Sequence, residues 1–389
     1  MNKNKTLSIF LIAVATLILG FFALAPKVLE QQSNRVDAHQ PFIVSRQAEQ
    51  LHSRLWVGDW HADSALWARD LSAESDYGHL DIPRMQQGNI ALQMFTTVTK
   101  SPNGQNYESN PTDARDNITL LAITQRWPTK TWTSLVERAL FQADKIHQLA
   151  ARDSANFQLI TSGAELNNFI QKRQTNPKIV GGLLGTEGSH ALDGDLNNIQ
   201  RLFDRGFRMM SLQHFFDNKL GGSLHGISQG GLSEFGRDAV IKMQSLGIIV
   251  DVSHSSEQVV ADVLALTEQP LVISHTGFKG HCNSPRNISD SLMQAVAANG
   301  GLIAVGFWEG ALCGISPKAL AEAIQYGIEL VGEDHVALGS DFDGSVTTAF
   351  DGTEMVVITH ELLEAGLSEQ QITKVMGGNM LKFLQANLP

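Results

Sequence analysis

Residues 247–275 read Gly-Ile-Ile-Val-Asp-Val-Ser-His (247–254), Ser-Ser-Glu-Gln-Val-Val-Ala-Asp-Val-Leu-Ala-Leu-Thr-Glu-Gln (255–269) and Pro-Leu-Val-Ile-Ser-His (270–275). Two runs rich in β-branched residues, Ile248–Val252 and Leu271–Ile273, flank an amphipathic helical pattern, and each run leads into Ser-His. Apolar runs without polar alternation suit strands buried on both faces of a parallel sheet. Ser255 or Ser256 is placed to cap the intervening helix. The unit is therefore β-α-β. His254 and His275 fall at the carboxyl ends of neighbouring parallel strands, where barrel and open α/β enzymes carry their chemistry. A single histidine there is more often a solvated loop residue. Two at equivalent positions in consecutive units point to a shared site.

Working outward, the same strand–helix alternation fills the chain. Strand candidates are Leu55–Trp60, Ile90–Val98, Phe157–Ile160, Ile179–Gly185, Phe207–Leu212, the two runs above, Leu302–Phe307 and His335–Gly339. Helical spacing marks residues 132–152, and a last helix is expected over Ser368–Gln385. Eight of the nine strands would close a (β/α)₈ barrel, with Phe157–Ile160 as the surplus. A doubly wound open sheet is the alternative, but its glycine-rich phosphate loop after the first strand is absent. Thr99–Asn110, rich in Asn, Ser, Pro and Gly, reads as a loop over the same face as His61-Ala62-Asp63.

The strand ends deliver a consistent set of side chains: His61 and Asp63, then Glu187, His214, His254, His275 and Asp341. In His-x-Asp the alternate residues point the same way, so both can grip one ion. Histidines and carboxylates without a thiolate suit zinc or another borderline divalent metal. They are too many for one tetrahedral site that leaves a position open to water. Two metals sharing a carboxylate fit the number better. His214 alone could simply donate to a nearby carbonyl, and Glu187 alone could cap a helix. Asp343 is expected only to bind the turn at Gly344. His52, His79, His225 and His281 read as surface or structural residues.

Composition narrows the function further. The 389 residues carry a net charge of −11, which argues against nucleic acid or an anionic membrane surface as the main partner. A hydrophobic content of 43% and 34 glycines suit an enzyme with many turns. No sequence period of 20–50 residues is present beyond the strand–helix alternation. Lys3 and Lys5 precede the uncharged run Thr6–Ala25, long enough to cross a bilayer with the remainder exported. Ala23-Leu24-Ala25 fits a cleavage site, but Pro26 would follow the cut, so residues 1–26 are expected to be an uncleaved signal anchor rather than a signal peptide. Residues 27–45 read as a tether and 46–389 as the catalytic domain. The expected location is the bacterial inner membrane facing the periplasm, or the periplasm itself if the segment is cut. Cys282 and Cys313 are the only cysteines, and in an exported chain they could pair or remain buried thiols.

Several fragments now combine: Asp-Trp-His-Ala-Asp (59–63), Gly-Thr-Glu-Gly-Ser-His (185–190), Ser-Leu-Gln-His (211–214), Gly-Leu-Ser-Glu-Phe-Gly (231–236), Ile-Val-Asp-Val-Ser-His (249–254), Ile-Ser-His (273–275), Arg-Asn-Ile-Ser-Asp (286–290) and Gly-Ser-Asp-Phe-Asp-Gly (339–344). In this order, over about residues 51–385, the chain resembles the membrane (renal) dipeptidase family of zinc peptidases. The resemblance implies a (β/α)₈ barrel of the metal-dependent hydrolase type with two zinc ions per chain. His61 and Asp63 would hold one ion, His254 and His275 the other, and Glu187 would bridge them. Asp341 would lie beside the first ion and move the proton. His214 would touch the substrate and Arg286 would bind its terminal carboxylate. It also implies a Cys282–Cys313 disulfide, a homodimer, and hydrolysis of small dipeptides by a metal-activated water. The chain departs from the family in having Ser64-Ala65 where relatives have Leu-Pro after His-x-Asp, and in the unmatched insertion 99–110. Both bear on substrate preference. A hydrolase of N-acyl amino acids or another small amide is the alternative activity. A non-catalytic binding protein would require a missing ligand, and a phosphoesterase would require basic residues after these strands.

Overall fold

A computed structural model describes residues 3–389, with the side chains of the first helix only in part. Eleven strands follow one another: β1 (Arg35–Val36), β2 (Val57–Ala62), β3 (Ile90–Val98), β4 (Phe157–Leu159), β5 (Val180–Glu187), β6 (Phe207–Ser211), β7 (Ile249–Asp251), β8 (Val272–Thr276), β9 (Leu302–Val305), β10 (Val336–Leu338) and β11 (Thr347–Thr348). All the pairings between them are parallel, in the order β3-β2-β10-β9-β8-β7-β6-β5-β4, and β3 also pairs with β5 from Leu92↔Gly181 to Val98↔Glu187. That last pairing closes an eight-stranded barrel from β2, β3 and β5–β10. The fold is the (β/α)₈ barrel.

The surplus strand is β4, as expected. It lies along the start of β5 (Phe157↔Val180 to Leu159↔Gly182), whereas β6 begins to pair with β5 only at Leu184. Three residues therefore fill the wedge that opens between β5 and β6 before the barrel closes.

Serine side chains set several helix starts. Ser256 Oγ accepts from Val259 N at 3.1 Å, and Ser134 Oγ accepts from Glu137 N at 3.3 Å. The helix Leu135–Arg152 buries Val136, Ala139, Ala143, Ile146 and Leu149, one apolar stripe at helical spacing. The single helix expected over Ser368–Gln385 is instead interrupted. It runs as Glu369–Thr373, a wider turn Lys374–Gly378, and Asn379–Asn387. The reason is contact with β2: a Cβ on Gly377 would lie 1.8 Å from the Trp56 carbonyl oxygen, so only glycine lets the segment press against the strand.

The first helix, α1, spans Lys3–Ser33 and includes an apolar stretch long enough to cross a membrane. The helix continues beyond the uncharged run Thr6–Ala25. Residues expected as a tether continue the helix to Ser33, bury Glu30 and Asn34, and add β1 alongside β11 at the barrel rim.

Candidate metal centre

The polar side chains at the strand ends follow from the two-residue period of the strands. Within the barrel, Met94, Met209, Ile249 and Val272 belong to one apolar cluster, and Thr96, Ser211, Asp251 and Ser274 come two residues later on the same strands. Beyond these, the strand ends present the candidate ligands. His61 is fully buried, and Asp63, Glu187, His254 and His275 are nearly so. Asp341, just past β10, is 8% exposed.

Glu187 stands at the centre. Its Oε1 lies 3.5 Å from His61 Nε2 and 3.4 Å from both His254 Nε2 and His275 Nε2. His254 Nε2 and His275 Nε2 are only 2.8 Å apart. His61 Nε2 is 3.7 Å from Asp63 Oδ1 and 4.0 Å from Asp341 Oδ1, and it has no hydrogen-bond partner. Donor atoms of His61, Asp63 and Glu187 fall within 4.8 Å of one another, as do those of Glu187, His254 and His275, and those of His61, His275 and Asp341. Three ring nitrogens gathered about one carboxylate oxygen, one of them with no partner, face a common space. The residues fit divalent metal.

Residues behind the ligands set the ring tautomers. Ser274 Oγ is 2.9 Å from His61 Nδ1 and 3.0 Å from His275 Nδ1, and it donates to Asp251 Oδ2 at 2.7 Å. With its own proton given to Asp251, the hydroxyl can only accept from the rings. Each Nδ1 then carries the proton, and each Nε2 is left free as a ligand. Asp251 also accepts from Ser253 Oγ at 2.7 Å. None of these three was assigned a role from sequence, although each lies in the quoted Asp-Val-Ser-His and Ser-His motifs. Their signal was the repeated serine before each histidine.

Electrostatics agree with a site that seeks cations. Burial, together with Glu187, pushes the Asp63 carboxyl up. Burial also pushes Asp341 well above the usual range; His61 opposes the shift, and Glu187 and Asp63 add to it. Burial opposes charge on His61, yet Asp63 and Glu187 hold its pKa well above the usual value. Burial would likewise raise Glu187, but His214, His254 and His61 hold it well below the carboxylate range. Burial and then Arg286 lower His254, and burial, His61 and Arg286 lower His275, so that both resist protonation. His254 and Asp341 both have left-handed backbone (φ 60° and 61°), which costs on the order of 1 kcal/mol each and is typical of sites that aim a side chain.

A cavity of about 80 Å³ opens onto this cluster. His214 borders it, with Nε2 3.4 Å from Glu187 Oε2 and Nδ1 3.2 Å from the Lys100 carbonyl. Arg286 borders it too. Its Nη2 donates to the His275 carbonyl at 2.7 Å, its guanidinium lies over Trp308, and its buried Nε has no partner. The 99–110 insertion lies over this face, as its place in the sequence suggested, although none of its residues was assigned a role. Ser101, Gln105 and Tyr107 of the 99–110 insertion line the cavity, and the Tyr107 hydroxyl accepts from Trp308 Nε1 at 2.7 Å. The insertion carries no catalytic spacing, so nothing in the sequence marked it beyond its place near His61. His225 is no surface residue: it is fully buried, with its ring 5.2 Å from that of His254. His52 and His79 are buried as well. Asp343 stays out of the site. It accepts from Ser64 Oγ at 2.5 Å and from His79 N at 2.7 Å, and it pairs with Arg69. Ser64, a departure from the family pattern, thus serves the loop beneath Asp341. Cys282 and Cys313 form a disulfide.

This donor set on a closed parallel barrel is that of a metal-dependent hydrolase. The membrane dipeptidase model (peptidase family M19) matches residues 45–387. Dipeptidase aclJ of Aspergillus oryzae is 28% identical over 98% of this chain and 89% of its own. Among solved structures, the probable dipeptidase PvdM of Pseudomonas aeruginosa superposes with a TM-score of 0.70 at 21% identity, covering 87% of this chain and 97% of its own. A metallopeptidase of Rhodobacter sphaeroides, solved with a phosphinate mimic of the dipeptide L-Ala-D-Ala, gives 0.66 at 23% identity, covering 86% and 99%. The chain belongs to the membrane dipeptidase family and is a metallo-dipeptidase.

Proposed function

We propose that the protein is a binuclear zinc dipeptidase acting on small dipeptides with a free carboxyl terminus. The observation that carries this reading is the convergence of His61, His254 and His275 Nε2 on one oxygen of Glu187. His61 and Asp63 would hold one ion, His254 and His275 the other, with Glu187 between them. When bound, the ions would supply an acidified water and a Lewis acid for the peptide carbonyl. Asp341 accepts the proton of the attacking water and returns it to the leaving amine; its raised pKa suits a group that must hold a proton in mid-reaction. His214 Nε2 donates to the oxyanion, a preorganised contact worth roughly 3 kcal/mol. Arg286 directs its unpartnered Nε and remaining N–H groups at the substrate carboxylate. Dipeptides such as L-Ala-D-Ala, whose mimic a relative binds, are the substrates this reading favours. We further read the protein as a homodimer exported to the periplasmic side of a bacterial inner membrane and held there by α1.

The test is metal content by plasma emission on the purified full chain in detergent, paired with a panel of dipeptides, tripeptides and N-acyl amino acids. The expected result is near two zinc per chain and chelator-sensitive cleavage of dipeptides alone. Bound metal with cleavage only of N-acyl amino acids would transfer the site to that substrate. A failure to bind metal even after reconstitution would refute the ligand assignment.

A further inference from the structure

The loop that carries Asp341 is not held by the barrel alone. Asp341, Asp343 and Ser345 alternate in left-handed backbone, with φ of 61°, 63° and 64°. None is glycine, so each pays for a conformation that only surrounding contacts can maintain. On the barrel side, Asp341 N donates to the His61 carbonyl at 3.2 Å and Asp63 N donates to the Phe342 carbonyl at 2.9 Å. The other side is built from the segment just after the apolar part of α1. Ser345 N donates to Asn34 Oδ1 at 2.8 Å, Arg35 N to the Val346 carbonyl at 3.1 Å, and Asp37 N to the Thr348 carbonyl at 2.9 Å. Glu30, 1% exposed, pairs with Arg69, whose other nitrogens reach the Leu80 carbonyl and Asp343. Gly344, Ser345 and Val346 also form a wall of the cavity.

We infer that Glu30–Asp37 is a positioning clamp for the 341–348 loop, and that Glu30 and Asn34 set the placement of Asp341 although neither touches substrate. The inference rests on the catalytic reading of Asp341 given above. Glu30 fixes the Arg69 guanidinium, Arg69 fixes Asp343, and Asn34 satisfies the one backbone donor that the turn at Ser345 aims outward. The membrane-proximal end of the anchor is thereby part of the active-site scaffold.

The test uses full-length protein in detergent and the variants Glu30→Gln, Asn34→Ala, their combination, and Asn34→Asp, which keeps the acceptor oxygen. Metal content, kcat and KM for a cleaved dipeptide are measured on each, with Asp341→Asn as reference. A misplaced reacting group costs on the order of ten- to a hundredfold in rate. The double variant is expected to lose kcat by roughly that factor at unchanged metal content and nearly unchanged KM, with Asn34→Asp close to the parent. If kcat stays within about twofold of the parent while Asp341→Asn is inactive, the clamp is refuted and the catalytic reading stands. Loss of metal together with kcat would also refute it, because the segment would then serve the ligands and not the loop. If Asp341→Asn itself remains active, the catalytic reading of Asp341 fails first and the clamp falls with it.

Discussion

At one end of the barrel the strands begin in apolar contact. Trp60, Leu92, Met209, Ile249, Val272 and Leu302 meet Met380, Phe383 and Leu384 of the last helix, with the Trp60 and Phe383 rings 5.5 Å apart edge to face. At the other end, a few residues along the same strands, buried imidazoles and carboxylates stand closer than their charges would choose. The first end gains from burial of well-packed surface. The second leaves His61 Nε2 without a partner and holds two acidic groups, Asp63 and Asp341, above their ordinary range. A protein can carry such a cluster only when it is stabilised elsewhere, or when cations complete the cluster. The comparison therefore separates residues that keep the barrel folded from those that make it reactive.

Three changes test that separation, taken from the largest expected effect to the smallest. Glu187→Gln keeps the volume at the centre of the polar end and removes its charge. Bound metal should fall and dipeptide hydrolysis should drop by at least about a thousandfold, roughly 4 kcal/mol of transition-state stabilisation. Full metal content with parental turnover would break the comparison at its polar end. Trp60→Ala at the apolar end should cost about 3–5 kcal/mol of stability in urea unfolding. The surviving folded protein should keep its metal content and its turnover per bound metal. Inactivation without a shifted urea midpoint would show that the two ends are not separable.

The smallest effect concerns a buried titratable group away from the site. His52 is hydrogen-bonded to Gly88 O at 3.0 Å and Thr359 Oγ1 at 2.8 Å, and burial lowers its pKa from 6.5 to about 4. Because the folded form resists protonation, its contribution is complete above about pH 6.5 and is lost as pH falls toward 4. Roughly 2 kcal/mol should disappear between about pH 7 and about pH 4.5. His52→Gln, which preserves one donor and one acceptor, should flatten that slope. Urea midpoints measured with chelator present, so that metal release does not contribute, would decide it. An unchanged slope would place the acid sensitivity elsewhere.

Much of this was legible beforehand because strands report themselves locally. Nine apolar runs, the polar residues after eight of them and the surplus of the short Phe157–Ile160 follow from local composition and from chain order. His61, Asp63, Glu187, His254, His275 and Asp341 could be collected because each stands at or just past the carboxyl end of a strand, and a parallel barrel brings all such ends to one face. The roles of Ser274, Asp251 and Tyr107 were not legible. Their significance lies in contacts across 23 residues for Ser274 and Asp251, and 201 for Tyr107 and Trp308.

By itself, then, the sequence determined the order of strands and helices, the face on which the polar strand ends gather and the chemical type of the candidate ligands. Each of these depends on residues within one or two turns of the chain. Tertiary structure alone decided which nitrogens converge on Glu187, that β3 closes against β5 and leaves β4 in the wedge, that Gly377 must break the last helix, and that the end of α1 holds the loop of Asp341. Those outcomes depend on distances between segments far apart in sequence. Closure of the barrel sets those distances, and no local pattern encodes them.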